Sequence, residues 1–194
     1  ESLPIPEPIK VVWTTFHQSY GYEDFVLGLR PEITESGTKL KPVAGVFLDA
    51  ALELANARSE YKSVVIFIDE INRGNIPKIF GELITLIESD KREEHYLSLT
   101  YTKKPFSVPD NLLIIGTMNT ADRSLVHIDA ALKRRFGQYE LMPDYSLLNS
   151  KIDKIHLGTL LKNINQKIIK AGFRDNQIGH SYFMTDGNPI TTRD

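Results

Sequence analysis

The sequence predicts an α/β fold, a parallel sheet flanked by helices, on three observations. Val64-Val65-Ile66-Phe67-Ile68 is an apolar run of β-branched and aromatic residues without polar alternation, the pattern of a strand buried on both faces. Amphipathic stretches bracket it: Val43, Val46, Phe47, Ala50, Ala51 and Leu54 recur at helical spacing before it, and Ile76, Ile79, Phe80, Leu83, Ile84 and Ile87 after it. Leu112–Ile115 is a further short apolar run, closed by Gly116-Thr117. Strands alternating with helices in this way build a parallel sheet whose crossovers are helical.

Taken in order, residues 1–9 carry three prolines and form an extended lead-in. Lys10–Phe16, rich in Val, Trp and Thr, is a strand, and a short helix begins at Tyr22. The polar, glycine-containing stretch 30–41 reads as a loop, and Pro42 suits the first turn of a helix running to about Ser59. After the Val64–Ile68 strand, Asn75 is placed to cap a helix that continues to Ser89. Tyr96, Leu97, Leu99 and Tyr101, then Phe106 and Val108, flank Lys103-Lys104-Pro105 as a hairpin. Beyond the Leu112 strand, a helix covers Ile128–Arg134 and a strand Phe136–Leu141, with a boundary near Pro143. Leu157, Leu160, Leu161, Ile164 and Ile168 then form a helical stripe ended by Ala171-Gly172, and Gly179–Met184 is a short turn or helix.

The bulk composition excludes more than it assigns. The 194 residues are 41% hydrophobic and 25% charged, ordinary for a globular chain that buries a core. With 23 basic and 25 acidic residues the net charge is -2, so no whole-chain field draws nucleic acid or an anionic membrane. Cysteine is absent, which excludes disulfides and thiolate metal sites. No apolar run approaches the roughly 18 to 20 residues that span a bilayer, nor does the start carry a secretory leader, and the chain is expected to be cytoplasmic, without a membrane partner.

Chemistry concentrates at the ends of the apolar strands. Val64–Ile68 delivers Asp69 and Glu70 to its C-terminal end, where open α/β sheets place ligands. Such a pair suits Mg2+-nucleotide hydrolysis, one carboxylate holding the ion through water and its neighbour polarising the attacking water; a strand ending in two solvated acids reads the same. Gly116-Thr117-Met118-Asn119-Thr120-Ala121-Asp122 repeats the arrangement, with Asn119 able to orient a water or contact a phosphate, or else to close an ordinary Asx turn. Lys133-Arg134-Arg135-Phe136 closes a helix with cations, which the helix dipole favours and which also suits an arginine supplied to a neighbour's phosphate.

Together and in this order, Ile68-Asp69-Glu70-Ile71-Asn72-Arg73-Gly74, Gly116–Ser124 and Ala131–Phe136 resemble the AAA+ ATPase superfamily. Within it they are similar to the McrB-like GTPase subunits of 5-methylcytosine-specific, McrBC-type restriction systems. Thr15–Tyr20, Tyr22-Glu23-Asp24-Phe25 and Gly179-His180-Ser181-Tyr182-Phe183 also look like that branch, so the likeness runs from about residue 12 to 184. The resemblance implies a P-loop-NTPase-like core with a helical lid. Asp69 and Glu70 become the Walker B pair, Asp69 for Mg2+ and Glu70 for the attacking water. Asn119 corresponds to sensor 1, and Asp122 positions catalytic groups. Arg134 or Arg135 is the arginine finger reaching a neighbouring protomer, and His180 is a lid contact to nucleotide or a structural hydrogen-bonding residue.

The domains expected are a lead-in over 1–9, an AAA+ α/β core over 10–143 truncated at its N-terminus, and an incomplete lid over 144–194. No Gly-x-x-x-x-Gly-Lys-Ser/Thr loop and no Gly-Lys dipeptide occurs, so the grip on the phosphates is missing and this chain alone is expected to bind nucleotide weakly and to be inactive. The family's order also places the strand before that loop in the middle of the sheet, leaving strands near Ile114 and Tyr139 without their shared neighbour. For the intact parent the resemblance implies hydrolysis of GTP or ATP with Mg2+, a hexameric ring of copies, an McrC-like nuclease partner, and DNA held by a separate domain. The alternatives are a MoxR-like ATPase that remodels proteins, or a non-catalytic assembly module.

Overall fold

The computed structural model describes residues 5–35, 37–119, 121 and 133–191, which divide into two units, Glu1–Phe136 and Gly137–Asp194. In chain order the first unit runs β1 (Ile9–Thr15), α1 (Tyr22–Phe25), β2 (Leu27–Thr34), β3 (Gly37–Ala44), α2 (Val46–Ala55), β4 (Ser63–Asp69), α3 (Ile76–Phe80), α4 (Leu83–Leu86), β5 (Leu97–Ser98), β6 (Pro105–Phe106) and β7 (Leu112–Gly116).

Its sheet has the order β1-β4-β7, with both pairings parallel. β4 is central because its side chains are apolar on both faces: Val64, Ile66 and Ile68 are fully buried and Val65 nearly so. The register aligns Thr15 with Asp69 and Ile68 with Gly116, so the strand ends that carry polar residues come level at one edge of the sheet. On one face the rings of Phe16, Phe25, Phe47 and Phe80, all fully buried, meet at centroid distances of 4.8–6.5 Å. Each such side chain contributes about 1.5–3 kcal/mol by leaving water, so this cluster anchors the short α1, α2 and α3 that have little stability of their own.

Several elements differ from the sequence reading. Stretch 30–41, expected as a loop, belongs to the β2–β3 ribbon, which pairs Leu27 with Ala44 through Thr34 with Gly37. The ribbon buries only its root: Ile33 is 90% exposed and Leu40 66%, so no hydrophobic alternation marks it. Glu32 faces Lys39 across the ladder and ion-pairs with Lys41 at 3.1 Å, while Gly37, at φ +118°, makes the turn. Val43 and Ala44 are therefore strand residues, and α2 starts after Gly45.

The single helix expected over Asn75–Ser89 is broken into α3 and α4. Asn75 does cap it, its side chain accepting the Lys78 amide, but Gly81 sits at φ +53°, outside helical geometry. The apolar stripe survives the break, since Ile76, Ile79, Phe80, Leu83, Leu86 and Ile87 are all buried. β5 and β6 form the expected hairpin.

The helix expected over Ile128–Arg134 lies mostly outside the described residues. The strand expected over Phe136–Leu141 does not form: Tyr139 and Leu141 are 87% and 85% exposed, and among the described residues no neighbour takes their backbone hydrogen bonds in a ladder. Among the described residues β7 pairs with β4 alone.

The second unit is built on the expected helix, Leu157–Lys170, followed by Gly172 at φ +88°. Two short hairpins flank it, Lys151–Ile152 with Ile155–His156 and Met184–Thr185 with Asn188–Pro189. Leu148, Leu157 and Leu161 form its core, with Tyr145, Ile152, Ile178 and Phe183 packed against them.

Candidate functional site

Asp69 is the last residue of β4, and its carbonyl accepts the Phe16 amide at 3.0 Å, extending the ladder to β1 by one bond. Glu70 then turns sharply, at φ 54° and ψ 46°, a left-handed conformation uncommon outside glycine. The chain continues as a single 3-10 turn, Ile71–Arg73, with Ile71 and Asn72 buried.

What holds this turn is the exit of β7. Thr117 donates its amide to the Ile68 carbonyl at 2.9 Å and accepts the Ile71 amide on its own carbonyl at 2.9 Å. Its hydroxyl donates to Asp69 Oδ1 at 2.6 Å and lies 3.4 Å from the Glu70 amide, which donates to it. The short bond is of the strong kind made to a carboxylate. Close approach of the two segments requires Gly116, where a Cβ would lie 2.8 Å from Ile71 Cδ1.

The Glu70 carboxylate is gripped from its own turn. Arg73 Nε lies 3.2 Å from Oε2, an ion-pair distance without hydrogen-bond alignment, and Arg73 Nη2 donates to Oε1 at 3.4 Å. With the side chains 28% and 47% exposed, such a pair orients Glu70 more than it stabilises the fold. Asn72 is 6% exposed, and its buried Oδ1 has no hydrogen-bond partner.

Asn119 leaves the same strand end two residues after Thr117. Its Oδ1 accepts the Ala121 amide at 3.0 Å, an Asx-type turn. Asp122 lies outside the described residues. Arg134 and Arg135 are placed at the segment that follows α4, where with Glu88, Ser89 and Asp90 they line a polar crevice. Arg135 Nη2 meets Glu88 Oε1 at 2.7 Å, with the two side chains 21% and 32% exposed, whereas Arg134 is exposed.

His180 belongs to the second unit and opens the 3-10 turn His180–Phe183. Its Nδ1 accepts the Asp144 amide at 3.0 Å, which makes Nε2 the protonated nitrogen of the neutral ring. The hydroxyl and amide of Ser146 hold the Asp144 carboxyl below the usual carboxylate range.

The turn's approach is set by Asn165. Fully buried, it accepts the Ile178 amide on Oδ1 at 2.8 Å and donates from Nδ2 to the Ile178 carbonyl at 2.9 Å and to the Tyr145 hydroxyl at 3.3 Å.

The structure thus brings Asp69, Glu70 and Thr117, at the strand end that leads to Asn119, into one hydrogen-bonded set, pairs Arg135 with Glu88, and places His180 in the second unit. Three participants escape a reading of motifs alone. Thr117 and Arg73 sit inside the quoted motifs, but their roles depend on a contact 48 residues away and on a fork across one turn. Asn165 leaves a signal: it follows Leu157 and Leu161 at steps of four, a polar residue on the buried face of its helix.

As a cation site, the Asp69 carboxylate beside the Thr117 hydroxyl offers hard oxygen donors. Among the described residues no group of three or more His, Asp or Glu side chains gathers to hold a metal by itself. That donor set fits Mg2+ carried in on nucleotide phosphates, which keeps most of its waters and takes one or two protein carboxylates.

Comparison with known proteins agrees with these features. Residues 8–136 match the AAA domain family, dynein-related subfamily. Residues 156–194 match the McrB alpha-helical lid domain. The chain belongs to the AAA+ superfamily and is McrB-like. The McrB-like chain is 41% identical, over 96% of its length, to the type IV methyl-directed restriction enzyme EcoKMcrB subunit of Escherichia coli K12. It is 29% identical, over 69% of its length, to the type II restriction enzyme BsuMI component YdiS of Bacillus subtilis 168. It spans less than half of either relative, 44% and 41% respectively. A solved structure from Cytophaga hutchinsonii, 16% identical, covers 66% of the chain and 32% of its own with a TM-score of 0.39, too slight a likeness to argue from. No helix among the described residues is long and apolar enough to cross a membrane.

Proposed function

We propose that this McrB-like chain is the motor core of a cytoplasmic nucleoside triphosphatase of a restriction or defence system, hydrolysing GTP or ATP. The observation that carries the reading is the joining of the Asp69-Glu70 pair to the Thr117–Asn119 strand end by the Thr117 hydroxyl. Two polar strand ends, one acidic and one amide-bearing, are thereby held level at one edge of a parallel sheet, the place where such folds act on phosphates.

Mg2+ entering with the nucleotide would supply neutralisation of charge on the phosphate oxygens. Asp69 would hold that ion, directly or through water. Glu70 accepts a hydrogen bond from the attacking water and takes up its proton as the water oxygen bonds to the γ-phosphorus and the bond from that phosphorus to the β,γ-bridging oxygen breaks, releasing nucleoside diphosphate and phosphate. Asn119 orients the same water or a terminal phosphate oxygen, and Asp122 positions these groups. Of the two arginines, Arg134 serves the neighbouring protomer as finger, because it is exposed while Arg135 is engaged by Glu88. His180, with Nε2–H as donor, contacts nucleotide from the lid.

In the intact protein this hydrolysis works in a hexameric ring, moves DNA held by a separate domain, and activates an McrC-like nuclease subunit. The likeness to two restriction-system components supports this setting.

The test is Asp69→Asn and Glu70→Gln in the full-length protein, measuring phosphate release. Both lose hydrolysis by more than a hundredfold while keeping their fold. Wild-type turnover in either variant refutes the assignment of the acid pair, and a parent protein that releases no phosphate refutes the motor reading and leaves an assembly module.

A further inference from the structure

We propose that Thr117 is a positioning residue for hydrolysis, presenting Asp69 and Glu70 as one unit and leaving Asp69 Oδ2 as the oxygen offered to the nucleotide-bound cation; this rests on the reading above. A threonine hydroxyl has one proton to donate and lone pairs to accept with. Here the proton goes to Asp69 Oδ1 at 2.6 Å, and the hydroxyl accepts from the Glu70 amide at 3.4 Å. The backbone of the same residue binds the Ile68 carbonyl and the Ile71 amide, both at 2.9 Å. One residue therefore grips every member of the segment Ile68–Ile71.

Two features show that this grip orients the acids rather than simply closing the sheet. The β4–β7 ladder is already complete at Ile68 with Gly116, so the side-chain bonds add nothing to strand pairing. Glu70 adopts its left-handed conformation with its amide donating to the hydroxyl, and that conformation needs outside support to persist. With Oδ1 engaged by the hydroxyl, the Asp69 carboxylate has a defined rotation, so Oδ2 is the oxygen left to face a cation. Asn119 follows two residues later on the same backbone, so the group expected to sense phosphate shares this anchor.

The experiment uses the full-length protein with Thr117→Val, which keeps the shape and removes the hydroxyl, and Thr117→Ser, which keeps the hydroxyl. Thr117→Ala stands in if the valine variant does not fold. Mg2+ dependence of hydrolysis is measured at saturating nucleotide, together with Mn2+ binding to the nucleotide-loaded protein by electron paramagnetic resonance and the melting temperature.

Loss of the hydroxyl raises the Mg2+ and Mn2+ half-saturation about tenfold, the scale of a lost hydrogen bond to a charged group. The nucleotide KM and the melting temperature stay close to wild type, and Thr117→Ser restores the cation dependence. Unchanged cation dependence without the hydroxyl, or a serine variant as impaired as the valine one, overturns the proposal. Asp69→Asn run in parallel separates the two readings: if it too leaves hydrolysis and Mn2+ binding intact, the nucleotide site itself is refuted, whereas its loss beside a normal Thr117→Val refutes only the role of Thr117.

Discussion

Replacing Asn165 by alanine tests how the second unit holds the His180 turn. The side chain is fully buried and makes hydrogen bonds of 2.8 and 2.9 Å to both backbone groups of Ile178, and one of 3.3 Å to Tyr145. Truncation leaves an amide and a carbonyl without partners. Each costs about 1–3 kcal/mol when buried, and because Ile178 is half-buried the lower part of that range applies. A loss of about 2–4 kcal/mol for the second unit follows once the small cavity is included. Trp13, the single tryptophan, belongs to the first unit, so its fluorescence does not probe the second unit's own core. Amide hydrogen exchange does: protection falls across Ile178–Met184 and Leu157–Lys170, while β4 and β7 keep theirs. Asn165→Leu, which preserves bulk but not hydrogen bonds, shows the same pattern at Ile178. If exchange at Ile178 stays within about threefold of wild type in both variants, less than 1 kcal/mol, the account of Asn165 as a backbone clamp is wrong.

Other consequences are equally direct. Gly116→Ala forces a methyl to 2.8 Å from Ile71 Cδ1 and 3.2 Å from its Cβ, so it destabilises the first unit by about 1–3 kcal/mol in urea unfolding and displaces the Thr117 contacts. Arg134→Ala removes hydrolysis in the full-length protein without changing the melting temperature, whereas Arg135→Ala, which strands the half-buried Glu88, lowers the melting temperature; the opposite split reverses the assignment of the finger. The Asp144 carboxyl has a folded pKa below its unfolded value of about 3.9, so the unfolded state binds more protons between the two values and stability rises with pH across that window. The contribution is complete above the unfolded value and disappears as pH falls through the folded one. Ser146→Ala, which removes the largest cause, shifts acid unfolding of the second unit to higher pH by circular dichroism.

The core strands were legible because an unbroken apolar run leaves a mark in one dimension. Val64–Ile68 and Leu112–Ile115 carry no polar residue, and both are strands of the central sheet. The helical stripes were legible for the same reason, down to the Asn75 cap. The β2–β3 ribbon was not: beyond its buried root its side chains are largely exposed and its stability lies in cross-strand pairing, which composition does not encode. Nor was the break at Gly81, because a glycine inside an apolar stripe is tolerated by a helix and its positive φ is imposed by the packing around it. The absent strand at Phe136–Leu141 shows the converse, since β propensity without a neighbour to take the hydrogen bonds makes no strand.

Residue identity along the chain was enough to place Asp69 and Glu70 at the end of a buried strand, because hydrophobic periodicity and a sudden change to charge are local facts. Which oxygen of Asp69 is engaged, why Glu70 turns left-handed, and which of two adjacent arginines is pinned were decided only when distant segments met. Those outcomes depend on Thr117 reaching Asp69 and Glu88 reaching Arg135 across about 47 residues of chain in each case. Hydrogen bonds act over less than 3.5 Å in space and are indifferent to separation in sequence, so they become visible only after the fold has closed.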